Sequence, residues 1–501
     1  MKNSLKYFNQ FALGLFIVLV LGGCEKWLDR KPLGTATEGD LSQGGVEGKA
    51  FGLYGGLRTT DGMTNFQMLW FKSIRSDDAI KGSTTGDLAD AGQMMDNFAY
   101  SKDHWLLNGY WTGHFTFVNA CNDVIHEVDS LNLTDPGSKI NRAEATFFRA
   151  YAYFDLVRDY GEVPLITNKV NTPADGNKPK STIPQIYAQI ESDLQFAAQN
   201  LPITWGPQFP GRLTKGTADA LLAKVYLYRQ NWAGALASAE AVINSNLYSL
   251  TPNFVDFFKE SGENSAESLL EVQMFVNQNG SQVISNNHNE VQGVRGSGSW
   301  DLGWGFNVPS AVLETNGFET GDPRKNATIL YSGQPDGIYG QTVPEAPPLA
   351  QPFWNKKVYT DPVRRLQTGI RNAPWLNIRL LRYSDVLLIA AEAANELGGA
   401  ANTTKALGYI NQVRARARGG NAGVLPNVTT TVQAELRTAI KRERRAEFAM
   451  EYERFYDLVR WGDAIAVLGP LGYTNRHRFY PIPQIAIDRS GGVLLQNPEW
   501  P

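Results

Sequence analysis

Between residues 143 and 157, apolar and aromatic side chains return at steps of three and four: Ala143, Phe147, Ala150, Tyr151, Phe154 and Val157. That period marks one face of an α-helix and predicts an amphipathic helix over 140–160. It stops at Gly161. Val163, ahead of Pro164, is biased out of the helical region, so 163–167 is expected to leave as extended chain. Further helices are predicted over 182–200, 217–229 and 233–244. The last two are separated only by Gln230, Asn231 and Trp232, a link short enough to force an antiparallel hairpin.

In that hairpin Ala223, Tyr226 and Ala235 stand where a tetratricopeptide unit needs close helix contact. The pattern returns over 382–397 and 403–417, with Ala394, Leu397 and Ala406 at the same offsets. A last helical block is predicted over 433–458. Its Arg442, Arg444, Arg445, Glu447, Glu451 and Glu453 are expected to form a charged, solvated face. Pairs at three- and four-residue spacing on such a face are worth about 0.2–0.5 kcal/mol each. The fold class that follows is mainly α: a tetratricopeptide-like helical-hairpin scaffold carrying a large irregular insertion.

Two long stretches lack this periodicity, 59–110 and 251–375. Segments of that length are uncommon in compact domains unless they bind something. Short strand-like pieces such as 269–275 interrupt the second. In its run from Gly293 to Phe306, Trp300 and Trp304 are set among glycines; in the first stretch are Trp70 and Trp105. Exposed rings on flexible chain predict a ligand platform. Its candidate residues are Trp70, Trp105, Asn108, Trp300 and Trp304, with Arg75, Asp77 and Asp78 as polar partners.

The N-terminus sets the expected location. Lys2 and Lys6 precede an apolar run from Phe11 to Leu21, followed by Gly22, Gly23 and Cys24. This is the pattern of a secretory signal over 1–23, and the run is too short to span a bilayer, which needs about 20 apolar residues. A cysteine directly after small residues resembles the bacterial lipobox, so Cys24 is the expected lipidation site. Cys121 is then left without a partner, and no disulfide framework is expected. With 47 basic and 50 acidic side chains the net charge is −3, and no basic block occurs. Nucleic acid is therefore not an expected partner.

Motifs for catalysis are missing from the chain. No G-x-S-x-G elbow or P-loop occurs, and Asp301 stands where a dinucleotide turn would need its third glycine. The five histidines, His104, His114, His126, His288 and His477, lack metal-ligand spacing, so no metal and no cofactor is expected. Asp77 and Asp78 are adjacent, which suits them poorly to the two carboxylates about 5–9.5 Å apart that glycoside hydrolysis uses.

The ordered set of segments resembles the SusD/RagB family of outer-membrane lipoproteins of Bacteroidetes. The residues that carry the resemblance start with Cys24, Trp27-Leu28-Asp29 and Pro32, then Trp111, Phe115 and Asn122 opening a helix. They continue with AEATFFRAYAYFDLVRDYGEVPLIT at 143–167 and TKGTADALLAKVYLYRQNW at 214–232. Next are RYSDVLLIAAEAANEL at 382–397, INQVRARA at 410–417, and ERRAEF and DLVRWGD within 443–463. YPIPQIAID and LLQNPEW close the chain within 480–500.

The resemblance implies a single domain over 24–501. Its scaffold would occupy about 111–250 and 376–465, its irregular ligand-binding regions about 59–110 and 251–375, and its tail 466–501. It also implies a role: a surface lipoprotein, held to the outer membrane by lipid, that captures oligosaccharide or polysaccharide. It would deliver the glycan to a TonB-dependent β-barrel transporter (SusC-like) as its lid. The family is not enzymatic. Within it the platform lies just before the helix of Trp111 and Asn122, where Trp105 and Asn108 fall, and in the central insertion. A peptide-binding lid, as in the RagB-like branch, is the alternative reading; a surface glycoside hydrolase is a weaker one.

Overall fold

A computed structural model describes residues 45–370 and 375–500, which form a mainly helical protein. The proposed signal segment and Cys24 lie outside the described residues. The helix α1 spans Gly45–Thr59, and a short helix α2, Phe66–Leu69, runs into one π-helical turn, Trp70–Ile74. After a strand β1, Ala79–Gly82, and a helix α3, Ala89–Asp96, come the two longest helices, α4, Trp105–Ser130, and α5, Pro136–Tyr160.

Helix α5 starts as its sequence dictates. Pro136 occupies the first turn, where its missing N–H costs nothing, and the Asp135 carboxylate caps the Ser138 N–H at 2.9 Å. It ends at Gly161, whose φ of +74° favours glycine and where a Cβ would stand 3.1 Å from the Phe479 ring. The periodicity of α5 predicts one buried face, but the helix is buried nearly all round. Helix α4 packs on one side and α6, Ile183–Asn200, on the other. Its buried charged residues are each matched. Glu144 meets Arg212, and Arg149 makes two bonds of 2.8 and 2.7 Å to Asp193; Asp155 meets Lys72, and Asp159 meets Arg75.

The two helical hairpins form as predicted. Helices α7, Lys215–Tyr228, and α8, Trp232–Asn244, are joined by three residues, and the Asn231 side chain caps the Gly234 N–H. Helices α9, Tyr383–Leu397, and α10, Ala400–Ala417, are joined by Gly398 and Gly399, both with positive φ. Helix α8 packs on α9, so the hairpins stack in the manner of tetratricopeptide units.

The last predicted helix is two helices, α11, Gln433–Phe448, and α12, Arg454–Trp461. Met450 and Tyr452 at positive φ break the chain between them, and Glu451 is drawn into ion pairs with Lys357 and Arg382. Their charges are not a solvated face. Arg444 is buried against Asp385 and Asp457, and Glu447 lies among Arg382, Arg416 and Arg324. Burial pushes the Glu447 carboxyl up, but the three guanidinium groups outweigh it and hold the group well below its ordinary range.

The two aperiodic stretches are built from short elements rather than structureless loop. Strand β2, Ser268–Val272, pairs antiparallel with β4, Ile378–Arg382; β1 pairs with β3, Phe306–Pro309, placing Gly82 opposite Phe306. A separate hydrophobic cluster of Val294, Trp300, Leu302, Leu330, Trp354 and Tyr359 holds the central stretch together. Among the described residues no helix is long and apolar enough to cross a membrane.

Candidate functional site

Helix α4 begins six residues earlier than the Trp111 motif suggests, so Trp105 is its first residue rather than part of a preceding loop. His104 is the cap: its Nδ1 accepts the Leu106 N–H at 3.2 Å, which leaves Nε2 to donate to Asp90 Oδ2, also at 3.2 Å. Its ring lies nearly parallel to that of Trp105, 5.7 Å away. Trp105 is 46% exposed, the most open of the candidate rings.

Beneath Trp105 is Phe66, stacked at 5.8 Å with 19° between planes; Trp304 leans on the same ring at 6.1 Å. Trp70 and Phe306, both buried, close the stack from below at 5.7 and 6.4 Å from Phe66. Two partly open indoles thus sit on a base of buried rings. The Trp304 backbone is held at both ends: its N–H donates to the Glu290 carbonyl at 2.9 Å, and its carbonyl accepts the Ser83 hydroxyl at 2.7 Å. Gly305 is needed beside it, because a Cβ there would lie 3.0 Å from the Trp354 ring.

Polar groups ring this shelf. Asn108 lies one turn along α4 from Trp105, half-buried, and its Oδ1 accepts the Thr112 hydroxyl at 3.5 Å. Lys81 Nζ stands 5.8 Å from the Phe306 ring and donates to the carbonyls of Thr84 and Asp87 at 2.8 Å each. Asp96 accepts the Lys81 N–H, and burial pushes its carboxyl up to about 6. The arrangement suits binding: apolar ring faces for a C–H surface, with amide and hydroxyl groups at the edge. Among the described residues no group of three or more His, Cys, Asp or Glu could hold a metal ion.

Of the predicted site residues, Trp105 and Trp304 meet on the Phe66 ring, and Asn108 lies one turn along α4 from Trp105. The others lie elsewhere. Trp70 is fully buried and serves as the base of the stack. Trp300 is only 9% exposed and lies parallel to Tyr359 at 6.0 Å in the separate cluster, so it is packing and not platform. Arg75 is 1% exposed, paired with Asp159 and sandwiched by Phe455 at 3.7 Å and Tyr480 at 4.4 Å. Asp77 and Asp78 are buried against Arg445 and Arg454, with bonds of 2.7–2.9 Å. Each of these polar groups already has a protein partner, which removes it from a ligand's reach. Phe66 and His104 were not singled out by sequence. Neither carried a signal: the sequence places the helix start at Trp111, and histidine is not among the favoured caps.

A cavity of about 600 Å³ lies apart from the shelf, between α7, α9, α11 and α12. Its arginines are largely engaged: Arg158 with Asp155, Arg437 with Glu396, and Arg460 with Glu392 and Asp457.

Comparison with known proteins bears on this arrangement. The profile of the SusD family matches residues 266–476, and a second profile, described as starch-binding and associating with the outer membrane, matches 63–227. SusD-like protein P2 of Formosa agariphila is 29% identical over 456 residues, covering 83% of this chain and 86% of its own. Among solved structures, a laminarin-binding SusD-like protein has a TM-score of 0.75 at 27% identity, covering 90% of this chain and 98% of its own. Surface glycan-binding protein A from Bacteroides thetaiotaomicron, in complex with laminarihexaose, has a TM-score of 0.73 at 25% identity, with the same coverage.

Proposed function

This chain belongs to the SusD family, and from that premise we propose that it is a cell-surface glycan-binding protein whose ligand rests on the Trp105–Trp304 shelf. It acts by binding, without a catalytic step. The observation that carries the reading is the open Trp105 ring, backed by Phe66 and fixed at the start of α4. A sugar presents a C–H face that lies on an indole and hydroxyls that need fixed partners. Asn108 offers a donor and an acceptor one turn away. The stack is rigid before ligand arrives, so little side-chain freedom is lost on binding. Similar proteins named for laminarin or surface glycan binding support a glycan over a peptide.

The finer role follows from the same premise. The protein is anchored through lipid on Cys24 and closes over a TonB-dependent β-barrel transporter, passing the captured oligosaccharide or polysaccharide inward. Tethering keeps the lid close to the barrel at high effective concentration. The test of the binding reading is a glycan array followed by calorimetric titration of wild type and Trp105→Ala. Saturable glycan binding that weakens at least tenfold in the variant is expected; equal affinity in the two would overturn the shelf.

A further inference from the structure

A groove of about 480 Å³ opens between α4 and the C-terminal helix α13, Gln484–Arg489. Asn108 lines it and also borders the shelf. On a helix, residues three and four apart are neighbours on one face. Trp105, Asn108, Thr112, Thr116 and Asn119 therefore form a single strip. At about 1.5 Å per residue it runs about 21 Å from the exposed indole to the far end of the groove.

The chemistry continues along that strip. Phe115, partly open, supplies apolar ring surface in the groove, and Thr112, Thr116 and Asn177 supply hydroxyl and amide groups. On the opposite wall Ile485 is 39% exposed, an apolar side chain directed at a lined groove rather than into the core. No carboxylate lines the groove. Lys178 and Arg489 do, and neither has an ion-pair partner among the described residues, which leaves their N–H groups for hydroxyl and ether oxygens. An apolar ring face beside hydroxyl, amide and cationic donors, with no carboxylate, suits an extended carbohydrate chain.

Resting on the shelf reading above, we infer that this groove is a further subsite for the same ligand: it takes successive sugar residues of a chain whose first contact is Trp105. The protein then discriminates by chain length, favouring polysaccharide or long oligosaccharide over short fragments.

The experiment is calorimetric titration with a length-graded ladder of laminari-oligosaccharides. It compares wild type, Trp105→Ala, and two variants that fill or charge the groove from opposite walls, Thr116→Trp and Ile485→Asp. Wild-type affinity should rise at least fivefold from the shortest bound chain to the longest. In both groove variants the long-chain affinity should fall to the short-chain value while short-chain affinity stays unchanged, which also shows that the variants are folded. A ladder that is flat in wild type, or long-chain affinity unaltered in both groove variants, would overturn the groove. Short-chain binding unaltered in Trp105→Ala would overturn the shelf instead. Wild type that binds no member of the ladder would overturn both.

Discussion

Phe66 lies face to face with Trp105, ring centres 5.8 Å apart and planes 19° from parallel, although 39 residues separate them along the chain. The contact joins a buried ring to an open one. It gives the exposed indole a fixed orientation that its place at a helix start would not secure alone.

Trp105→Ala should remove a stacked face without disturbing the core. An aromatic contact of this kind is worth about 0.5–1.5 kcal/mol beyond burial, and truncation at a binding hot spot about 2 kcal/mol or more. Glycan affinity should drop by a decade or more, about 1.4 kcal/mol per decade, while the melting temperature stays close to wild type. Parallel titration and thermal melts check this.

Trp300→Ala should do the reverse. The ring is packed on Tyr359 with Val294 and Leu302 in its own cluster, so its loss opens a cavity costing about 3–5 kcal/mol. Melting should begin clearly earlier, with glycan affinity at low temperature retained. Weakened binding with an unchanged melt would return Trp300 to the platform.

Arg75 and Asp159 form a buried pair, and the rings of Phe455 and Tyr480 lie on the guanidinium group. Arg75→Met leaves the Asp159 carboxylate with only the Tyr110 and Tyr456 hydroxyls, each at 2.7 Å. Stranding a buried charge costs about 3–5 kcal/mol. Adding Asp159→Asn should recover part of that loss, and a double-mutant cycle in denaturant measures the coupling. Arg75→Lys should not rescue stability, because an ammonium group lacks the flat face that stacks between the rings.

The His104 cap predicts a pH dependence. Burial lowers its pKa below the ordinary 6.5, outweighing the nearby Asp90, so the neutral ring that accepts the Leu106 N–H is favoured in the fold. A histidine whose folded pKa is depressed contributes stability that is present above its unfolded pKa and is lost as pH falls through the folded value. Glycan affinity should therefore hold at neutral pH and weaken only as pH falls through that lowered folded value, where a proton on Nδ1 opposes the cap beside Trp105. His104→Asn, which can still cap the helix, should flatten that acid limb. An identical pH profile in the variant would assign the dependence to another group.

The anchoring proposal rests on Gly22, Gly23 and Cys24. Cys24→Ala should abolish incorporation of labelled palmitate and release the protein from outer membranes. Wild type isolated from the same membranes should carry a large β-barrel protein with it. Full palmitate labelling of the variant would remove the lipobox reading, and recovery of wild type as free monomer would count against the lid.

Much of the scaffold was legible because its causes are local. The three-residue link between α7 and α8, the Gly398-Gly399 turn and the stop at Gly161 all act within a few residues of where they stand. The misplaced charged candidates share one cause. Asp77 meets Arg445 and Arg454 across 368 and 377 residues, and Arg75 meets Asp159 across 84. In sequence such charges read as surface, since a lone buried charge is prohibitive; only distant partners make burial tolerable.

The chain by itself determined its helices, their hairpin connections and the family to which it belongs, since periodicity, capping and turn chemistry act over a few residues. Tertiary structure alone decided which aromatic rings stay open and which become packing. Trp300 and Trp304 have the same glycine-rich neighbourhood, yet one is covered by Tyr359 and the other rests half-open on Phe66. Burial depends on what packs against a side chain from elsewhere in the chain, and no local pattern carries that information.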